Sequence, residues 1–427
     1  MKQFLVLLAC ITTMNVFAQK TYIQCGKLVD VNNGKIITEM TIVIDGSKIS
    51  DVLSGYKKGS STDKVIDLKN KTVLPGLIDC HVHMEHETSK DNFRESMISN
   101  SADVAFRSTV FANKTLMAGF TTVRDLGGSG VNIALRNAID KGEVIGPHIL
   151  TAGIAISATG GHMDPTHGLS EDLFPEPAQP KDGVADGKDE LIKAVRLQFK
   201  KGADVIKIAS TGGVLDLSKD GSGAQYSIDE IKTVVETAKD YGLKVACHAH
   251  GAEGIKRAII GGVASIEHGT FMDAEGMELA KKYGTYLVPT IIAGKSVADS
   301  AKIPNYYPPV IAKKASEIGP VIQNTFAKAY KAGVKIAFGT DAGVYAHGKN
   351  AKEFVYMTEG GMPPMEAIQS ATKNAADLLG ITDHSGSIEK GKTADIIAVD
   401  GNPIENISLL QNVSFVMKDG KIFKQQQ

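Results

Sequence analysis

The feature that most constrains this chain is a series of eight short apolar runs between residues 76 and 385, separated by longer stretches with helical periodicity. Short apolar runs that alternate with amphipathic helices indicate β-α-β units and a parallel sheet. Helical segments such as 188–202 and 227–242 end on glycine, as helix C-termini prefer. The runs lie at 77–84, 121–128, 148–157, 205–210, 244–250, 265–269, 286–293 and 335–343. Eight such alternations predict an α/β fold of the (β/α)8 barrel type.

Both ends of the chain differ from this middle region. Residues 19–75 alternate β-branched runs with turn signals and predict short antiparallel strands, and residues 386–427 have the same character. We therefore predict one small β-sandwich built from both termini, which flanks a barrel at 76–385.

The first residues predict an export signal. Lys2 is followed by an apolar stretch at 4–18, with the small residues Val16 and Ala18 where a signal peptidase reads the chain. We predict a signal peptide at 1–18, cleavage after Ala18 and an exported, periplasmic or secreted protein. A lipobox-like motif that ends at Cys10 is the alternative, less favoured because the apolar stretch before it is short. The segment is also shorter than the roughly 20 residues that a membrane span requires.

The charge balance excludes several classes of partner. The chain has 47 basic and 48 acidic residues, so its formal net charge is -1. No excess of either sign is available to attract nucleic acid or an anionic membrane. The expected partner is a small-molecule substrate, and a homo-oligomer stays open.

Histidine placement is the most informative chemical signal. Five of the 11 histidines lie at or near the C-terminal ends of three predicted strands. They are His81 and His83, His248 and His250, and His268. That end of a barrel holds the active site. Residues two apart on a strand point to the same side, so His81 and His83 can face the barrel mouth and bind one metal ion.

Lys207 lies in the middle of the otherwise apolar run 205–210. A charged ammonium buried there is costly unless it is paired or neutralised. A salt bridge to a nearby carboxylate is one explanation. The other is reaction of the amine with carbon dioxide, which gives a carbamate that can bridge two metal ions. Beside a cluster of histidines the carbamate is the better explanation.

Asp341 ends the eighth run and is flanked by small residues. An Asp after Gly-Thr is commonly a helix cap or a turn residue. Opposite a histidine cluster it can instead bind a metal ion and accept a proton from water. Nearby, Arg124 and Asp125 at the end of the second run predict a structural ion pair.

These residues, in this order along the chain, resemble the amidohydrolase superfamily. Within it the chain is similar to the imidazolonepropionase-related branch, which includes the prolidase-like (Xaa-Pro) dipeptidases. The sequence TGGHMD at 159–164 is similar to a substrate-loop motif of that branch. The motifs that carry the resemblance are VLPGLIDCHVHM at 73–84, VIKIASTGGV at 205–214, ACHAHG at 246–251, SIEHGT at 265–270, GTDAG at 339–343 and GSIEKGKTADIIAVDGNP at 386–403.

The resemblance implies a centre of two divalent metal ions, with zinc favoured. It implies that His81, His83 and Asp341 bind the more buried ion and that His248 and His268 bind the more exposed one. Carbamylated Lys207 and a hydroxide would lie between the ions. The catalytic residues that it implies are Asp341, which passes a proton from the hydroxide to the leaving amine, and His268.

The implied reaction is hydrolysis of a C–N amide bond. Dipeptides of the Xaa-Pro type and N-acyl amino acids are the favoured substrates, and a cyclic amide of the imidazolonepropionase type is the alternative. His162, in the long Gly- and Pro-rich loop 158–190, is a candidate for binding a substrate carboxylate, or else a solvated loop residue. His250 is a second candidate, at a position where the dipeptidases often have Tyr. The non-enzymatic alternative is a secreted metal- or ligand-binding protein without turnover.

Overall fold

A computed structural model describes residues 19–173, 175–218 and 221–426. The predicted signal peptide at 1–18, including Cys10, lies outside the described residues. Among the residues that are described, no helix combines the length and the apolarity that crossing a bilayer requires.

Strands and helices alternate through the middle of the chain, as the sequence predicts. The strands are β1 (Thr21–Asp30), β2 (Lys35–Asp45), β3 (Lys48–Ser54), β4 (Lys64–Pro75), β5 (Leu77–Val82), β6 (Phe120–Asp125), β7 (His148–Thr151), β8 (Ile206–Ala209), β9 (Val245–Ala249), β10 (Ser265–His268), β11 (Tyr286–Val288), β12 (Ile396–Asp400), β13 (Val413–Lys418) and β14 (Lys421–Gln425). The helices are α1 (Asn92–Ile98), α2 (Ser101–Met117), α3 (Val131–Asp140), α4 (Gly187–Lys201), α5 (Ile228–Asp240), α6 (Ala252–Gly261), α7 (Ala274–Tyr283), α8 (Ile291–Ser300), α9 (Pro309–Lys331), α10 (Lys352–Glu359), α11 (Pro364–Ser370) and α12 (Lys373–Leu379).

The barrel consists of two parallel sheets and the bridges between them. One sheet has the order β5-β6-β7 and the other has the order β11-β10-β9-β8. Isolated parallel bridges join the two sheets through the eighth apolar run on one side and beyond β7 on the other. They pair Ile156 with Ile208, Leu287 with Ile336 and Val82 with Ala342. The predicted (β/α)8 barrel is confirmed, with helices between its strands.

Three predicted strands are shorter in the structure than in the sequence analysis. The third run, 148–157, is a strand only to Thr151, and the seventh, 286–293, is a strand only to Val288 before α8 begins at Ile291. In the eighth run, only Ile336 and Ala342 form bridges. An apolar run alone does not distinguish a strand from the buried start of a helix, so the predicted strands extend too far.

The helix ends follow their sequence signals. Gly202 after α4 and Gly284 after α7 adopt left-handed φ values of 98° and 72°. A residue without a Cβ atom enters this region at little steric cost, which ends the helix and turns the chain toward the next strand. The described part of the long connection after β7 contains isolated bridges at Ile156 and Ser157 and a short 3-10 helix at Pro180–Asp182 before α4 begins.

The β-rich unit predicted from both termini is one mixed sheet of seven strands in the order β14-β13-β12-β4-β1-β2-β3. Its core includes Ile23, Ile42, Leu68, Phe415 and Met417, each at most 2% exposed. The pairing of β1 with β4 is parallel, whereas the sequence predicted antiparallel strands alone. The parallel pairing arises because the chain passes through β2 and β3 before it returns beside β1.

The barrel contacts this sheet through a group of charged side chains. His148, at the start of β7, lies with its Nε2 atom 3.4 Å from Asp395 Oδ2 and 3.4 Å from Asp419 Oδ1. Burial opposes protonation of His148, but the two carboxylates outweigh it and raise the pKa of the imidazole to about 9. Near neutral pH, His148 is therefore an imidazolium that lies between two carboxylates.

Candidate metal centre

The first group of candidate ligands comes from the end of β5 and from the eighth run. His81 Nε2 lies 3.4 Å from Asp341 Oδ1, and His83 Nε2 lies 3.2 Å from the same oxygen. Tetrahedral zinc with ligand bonds of about 2.0–2.1 Å separates its ligand atoms by roughly 3.3 Å. Both imidazole nitrogens therefore already lie from the Asp341 oxygen at the spacing that a small divalent ion requires.

A second group comes from β9 and β10. His248, His250 and His268 each offer a ring nitrogen, and these atoms lie within 4.8 Å of one another. The His268 ring also lies near His81, with ring centroids 5.1 Å apart, so the two groups are neighbours. The structure thus brings together the histidines that the sequence placed at three separate strand ends.

Lys207 on β8 is the remaining candidate ligand. Its side chain is fully buried, and Nζ has no hydrogen-bond partner among the described residues. Burial lowers the pKa of this amine to about 8, although the carboxylates of Glu267 and Asp341 act in the opposite direction. Lys207 lines the same cavity as both histidine groups. Among the described residues, Lys207 forms no salt bridge that would explain its burial.

Most of the candidate histidines have their second ring nitrogen held by the protein. This arrangement fixes the ring and selects the nitrogen that is free for a ligand, as in most protein metal sites. The contacts join His83 Nδ1 to Gly127 O at 2.8 Å, His248 Nε2 to Gly212 O at 3.1 Å, His250 Nδ1 to Thr270 Oγ1 at 2.8 Å and His268 Nδ1 to Thr290 Oγ1 at 2.7 Å.

His81 is oriented by a buried ion pair. Its Nδ1 atom lies 3.0 Å from Glu267 Oε2, and Glu267 Oε1 accepts a hydrogen bond of 2.9 Å from Arg124. Burial alone would raise the pKa of Glu267, but Arg124 and His81 lower it to about 2. The predicted ion pair of Arg124 with Asp125 is wrong, because consecutive residues on a strand point to opposite sides and Arg124 points to Glu267 across the barrel.

Burial keeps most of these imidazoles neutral. It lowers the pKa of His81 to about 4 and that of His250 to about 3, and it holds the pKa values of His248 and His268 well below the ordinary value. His83 differs, because its contact with Asp341 outweighs burial and raises its pKa. Neutral imidazoles retain the lone pair that a metal ion needs.

Backbone strain concentrates at the site. His268, Thr290 and Asp341 have φ values of 68°, 49° and 58°, in the left-handed region that residues with a Cβ atom rarely adopt. Such conformations persist where surrounding contacts over-determine them, often at functional sites. Glu353 provides one such contact, because its buried carboxylate accepts hydrogen bonds from the backbone N–H groups of Ile291 and Ile292 just after Thr290.

The candidate ligands face a cavity of about 130 Å³. His162 lines it, and its ring stacks on His248 with the centroids 4.1 Å apart. His86 also lines it. The rest of the wall is mostly apolar and includes Met163, Val214, Val297, Ile318, Ile322 and Val344. The cavity therefore has a polar, imidazole-rich side and an apolar side.

Three supporting residues were missed from the sequence. Glu267 had a usable signal, because it is a charged residue inside an apolar run, as Lys207 is. Thr290 and Asp216 had none that points to a role at the site, because Thr and Asp are common in caps and turns. Their contacts with His268 and His162 appear only once the loops are folded.

A barrel whose mouth gathers neutral imidazoles, a carboxylate and an unpaired buried amine has the donor set of a metal-dependent hydrolase. The chain belongs to the amidohydrolase family, whose sequence profile matches residues 72–423.

Individual relatives cover nearly the whole chain. A solved Xaa-Pro dipeptidase with methionine bound in its active site is 52% identical, with a TM-score of 0.92 over 95% of this chain and 100% of that one. The ochratoxinase of Aspergillus niger is 34% identical over 92% of this chain and 83% of its own length. An imidazolonepropionase of Fusobacterium nucleatum is 24% identical over 92% and 91% of the two chains. These relatives fit the family branch that the sequence motifs indicate.

Proposed function

We propose that this amidohydrolase cleaves the amide bond of Xaa-Pro dipeptides or small N-acyl amino acids. The observation that carries the proposal is the unpaired amine of Lys207, buried at the cavity that both groups of candidate metal ligands line. The similarity to a Xaa-Pro dipeptidase over nearly the full chain supports the substrate class.

The residues present fit a pair of divalent ions. His81, His83 and Asp341 would hold one ion, and His248 and His268 would hold the other, with zinc favoured by imidazole ligands at tetrahedral spacing. Two bound ions would supply an activated water molecule and polarise the substrate carbonyl. His250 lies within reach of the second group, so its assignment to substrate rather than metal is part of the proposal.

Carbamylation of Lys207 is supported by its surroundings. The reaction needs a neutral amine, and burial favours that form by lowering the pKa of Lys207 to about 8. The amine nitrogen would form a bond to the carbon of carbon dioxide and release a proton, which leaves a carbamate anion. The buried nitrogen, which has no partner among the described residues, would then carry a carboxylate with two oxygen atoms.

Asp341 is placed to move the proton. Burial would raise the pKa of this carboxyl, but His81 and His83 outweigh it and hold the pKa well below its ordinary value. Asp341 is thus ionised near neutral pH and can accept a proton from the attacking water. It would then deliver that proton to the leaving nitrogen, as base and afterwards as acid.

The shape of the cavity fits a small amino-acid derivative. Its volume of about 130 Å³ and its wall of Val297, Ile318 and Ile322 suit one apolar side chain. His162 and His250 lie on the polar side, where they would bind the carboxylate of the amine portion.

Hydrolysis of a substrate panel tests the proposal. Purified protein with measured zinc content is assayed on Xaa-Pro dipeptides, other dipeptides, N-acyl amino acids and a cyclic imidazolone, with Asp341→Asn as the control variant. We expect turnover of the first or third class by wild type and its loss in the variant. Turnover of the imidazolone alone would favour a cyclic amidase, and wild-type rates equal to those of the variant on every substrate would favour a binding protein.

We further propose that the protein is exported after cleavage behind Ala18. The Lys2-led apolar segment supports this. Sequencing the N-terminus of the mature protein tests it, with Gln19 expected as the first residue. An N-terminus at a lipid-modified Cys10 would support the lipoprotein alternative instead.

A further inference from the structure

The His162 ring packs closely against other residues at the wall of the cavity that the candidate ligands face. One contact is the stacked ring of His248, and another is Gly213, where an added Cβ atom would overlap the imidazole. The third is Asp216, whose Oδ2 atom lies 2.7 Å from His162 Nδ1. The side chain is 17% exposed, so a loop residue that could have been solvated has a fixed position.

Asp216 is itself held from several directions. Its carboxylate is 8% exposed and accepts hydrogen bonds from the backbone N–H groups of Gly213 and Ser218, at 2.8 and 3.0 Å, and from the Ser218 hydroxyl. Lys314 on α9 donates to Oδ1 at 2.8 Å and also to the backbone oxygens of Gly213 and Asp216. The ammonium of Lys314 therefore neutralises the buried carboxylate and fixes its orientation.

This contact selects the part of His162 that faces a ligand. Because Asp216 occupies Nδ1, Nε2 is the nitrogen available to the cavity that His162 lines. A carboxylate behind a histidine fixes the rotation of the ring, as it does for metal-ligating histidines. With Asp216 on Nδ1, a substrate carboxylate placed at Nε2 would be bound by the doubly protonated ring, in which both nitrogens donate.

We propose that Asp216 is a positioning residue that makes the enzyme selective for substrates with a free carboxylate on the amine portion. This inference rests on the proposed function. Asp216 holds His162 so that Nε2 donates to the substrate carboxylate, and Lys314 and Gly213 maintain that geometry. A carboxylate accepts a stronger, charge-assisted hydrogen bond than a neutral carboxamide does, so the arrangement discriminates against a carboxamide.

A pair of substrates that differ only at this group tests the inference. The values of kcat and KM are measured for a Xaa-Pro dipeptide and for its C-terminal amide, in wild type and in Asp216→Asn, with zinc content determined for each protein. We expect wild type to prefer the free acid. In the variant, KM for the acid should rise and its kcat/KM should fall by about ten- to a hundredfold, the loss expected for a hydrogen bond to a charged group. Rates on the amide should change little.

A second variant and a matched control separate positioning from folding. Gly213→Ala displaces the His162 ring without changing any charge and should give the same selective loss. Asp204→Asn makes the same chemical change in the ion pair with Arg136, away from the cavity, and should leave the acid-to-amide ratio as in wild type.

Equal losses on acid and amide, or no loss on the acid, would overturn the positioning role of Asp216. If wild type hydrolyses neither compound, the proposed function fails, and binding decides the inference instead. The Kd values of N-acetyl-L-proline and its carboxamide are then compared in wild type and Asp216→Asn. A wild-type preference for the acid that disappears in the variant supports the inference, and a preference that persists in the variant refutes it.

Discussion

Replacing Glu267 by Gln removes the carboxylate that joins Arg124 to His81 inside the barrel. The Arg124 side chain is 2% exposed and that of Glu267 is 0% exposed, so water does not replace the lost partner. Removing one partner of a buried ion pair leaves an uncompensated charge and costs about 3–5 kcal/mol of stability. His81 also loses its 3.0 Å contact with Oε2, and loss of such an orienting contact lowers metal affinity by about 10- to 100-fold.

Two measurements separate these effects. Urea denaturation in the presence of a chelator gives the free energy of unfolding without a contribution from bound metal. Zinc titration of the same protein gives the metal affinity. We expect Glu267→Gln to lower both.

The double variant Arg124→Met/Glu267→Met provides the sharper comparison. A buried ion pair replaced by apolar residues of similar size is often neutral or stabilising. The double variant should therefore recover stability while its zinc affinity stays low, because nothing orients His81. The reasoning is refuted if the single variant is within about 1 kcal/mol of wild type, which is the range of an exposed ion pair. It is equally refuted if the double variant recovers both quantities.

Three further expectations follow from contacts elsewhere. Thr290→Val should weaken the second zinc site while Thr290→Ser preserves it, measured by zinc titration, because the hydroxyl orients His268; equal affinities would contradict this. The imidazolium of His148 has a raised pKa, so its stabilising effect is complete below about pH 6.5 and is lost as pH rises through about 9. Denaturation should show His148→Gln less stable than wild type by about 3 kcal/mol at pH 6 and equal to it at pH 10. Lys207→Ala should have a lower zinc content than wild type, and short-chain carboxylates should restore it in part. An unchanged zinc content would contradict the carbamate.

The positions of the ligands were predictable because barrel topology fixes where strand ends meet. His81, His83, His248 and His268 each lie at the end of an apolar run, and parallel strands in a closed barrel bring those ends to one rim. Lys207 was predictable for a different reason, since a lone charge in an apolar run requires an explanation.

The supporting contacts were not predictable, because they depend on loop conformations. The contacts that hold His162 involve the loop after β7, the loop after β8 and α9. No periodicity in the sequence links these segments. The turn at Thr290 was missed for a similar reason. Pro289 and Thr290 interrupt the apolar residues of the run 286–293, and a Pro followed by a Thr is a signal for a strand end and a helix start. The boundary was therefore readable, whereas the φ of 49° at Thr290 has no signature in the sequence.

The buried charges of the barrel explain why metal binding and carbamylation of Lys207 are expected to be linked. The pair of Arg124 and Glu267 is neutral by itself, whereas Asp341 is a buried anion stabilised by the imidazoles and by Lys207. A carbamate formed without metal would add a second anion beside Asp341 and remove a nearby cation. Two dications bound without the carbamate would leave most of their charge unbalanced in a low-dielectric interior. Each event therefore lowers the free-energy cost of the other, and by linkage bicarbonate should raise zinc affinity by the same factor that zinc raises carbamylation.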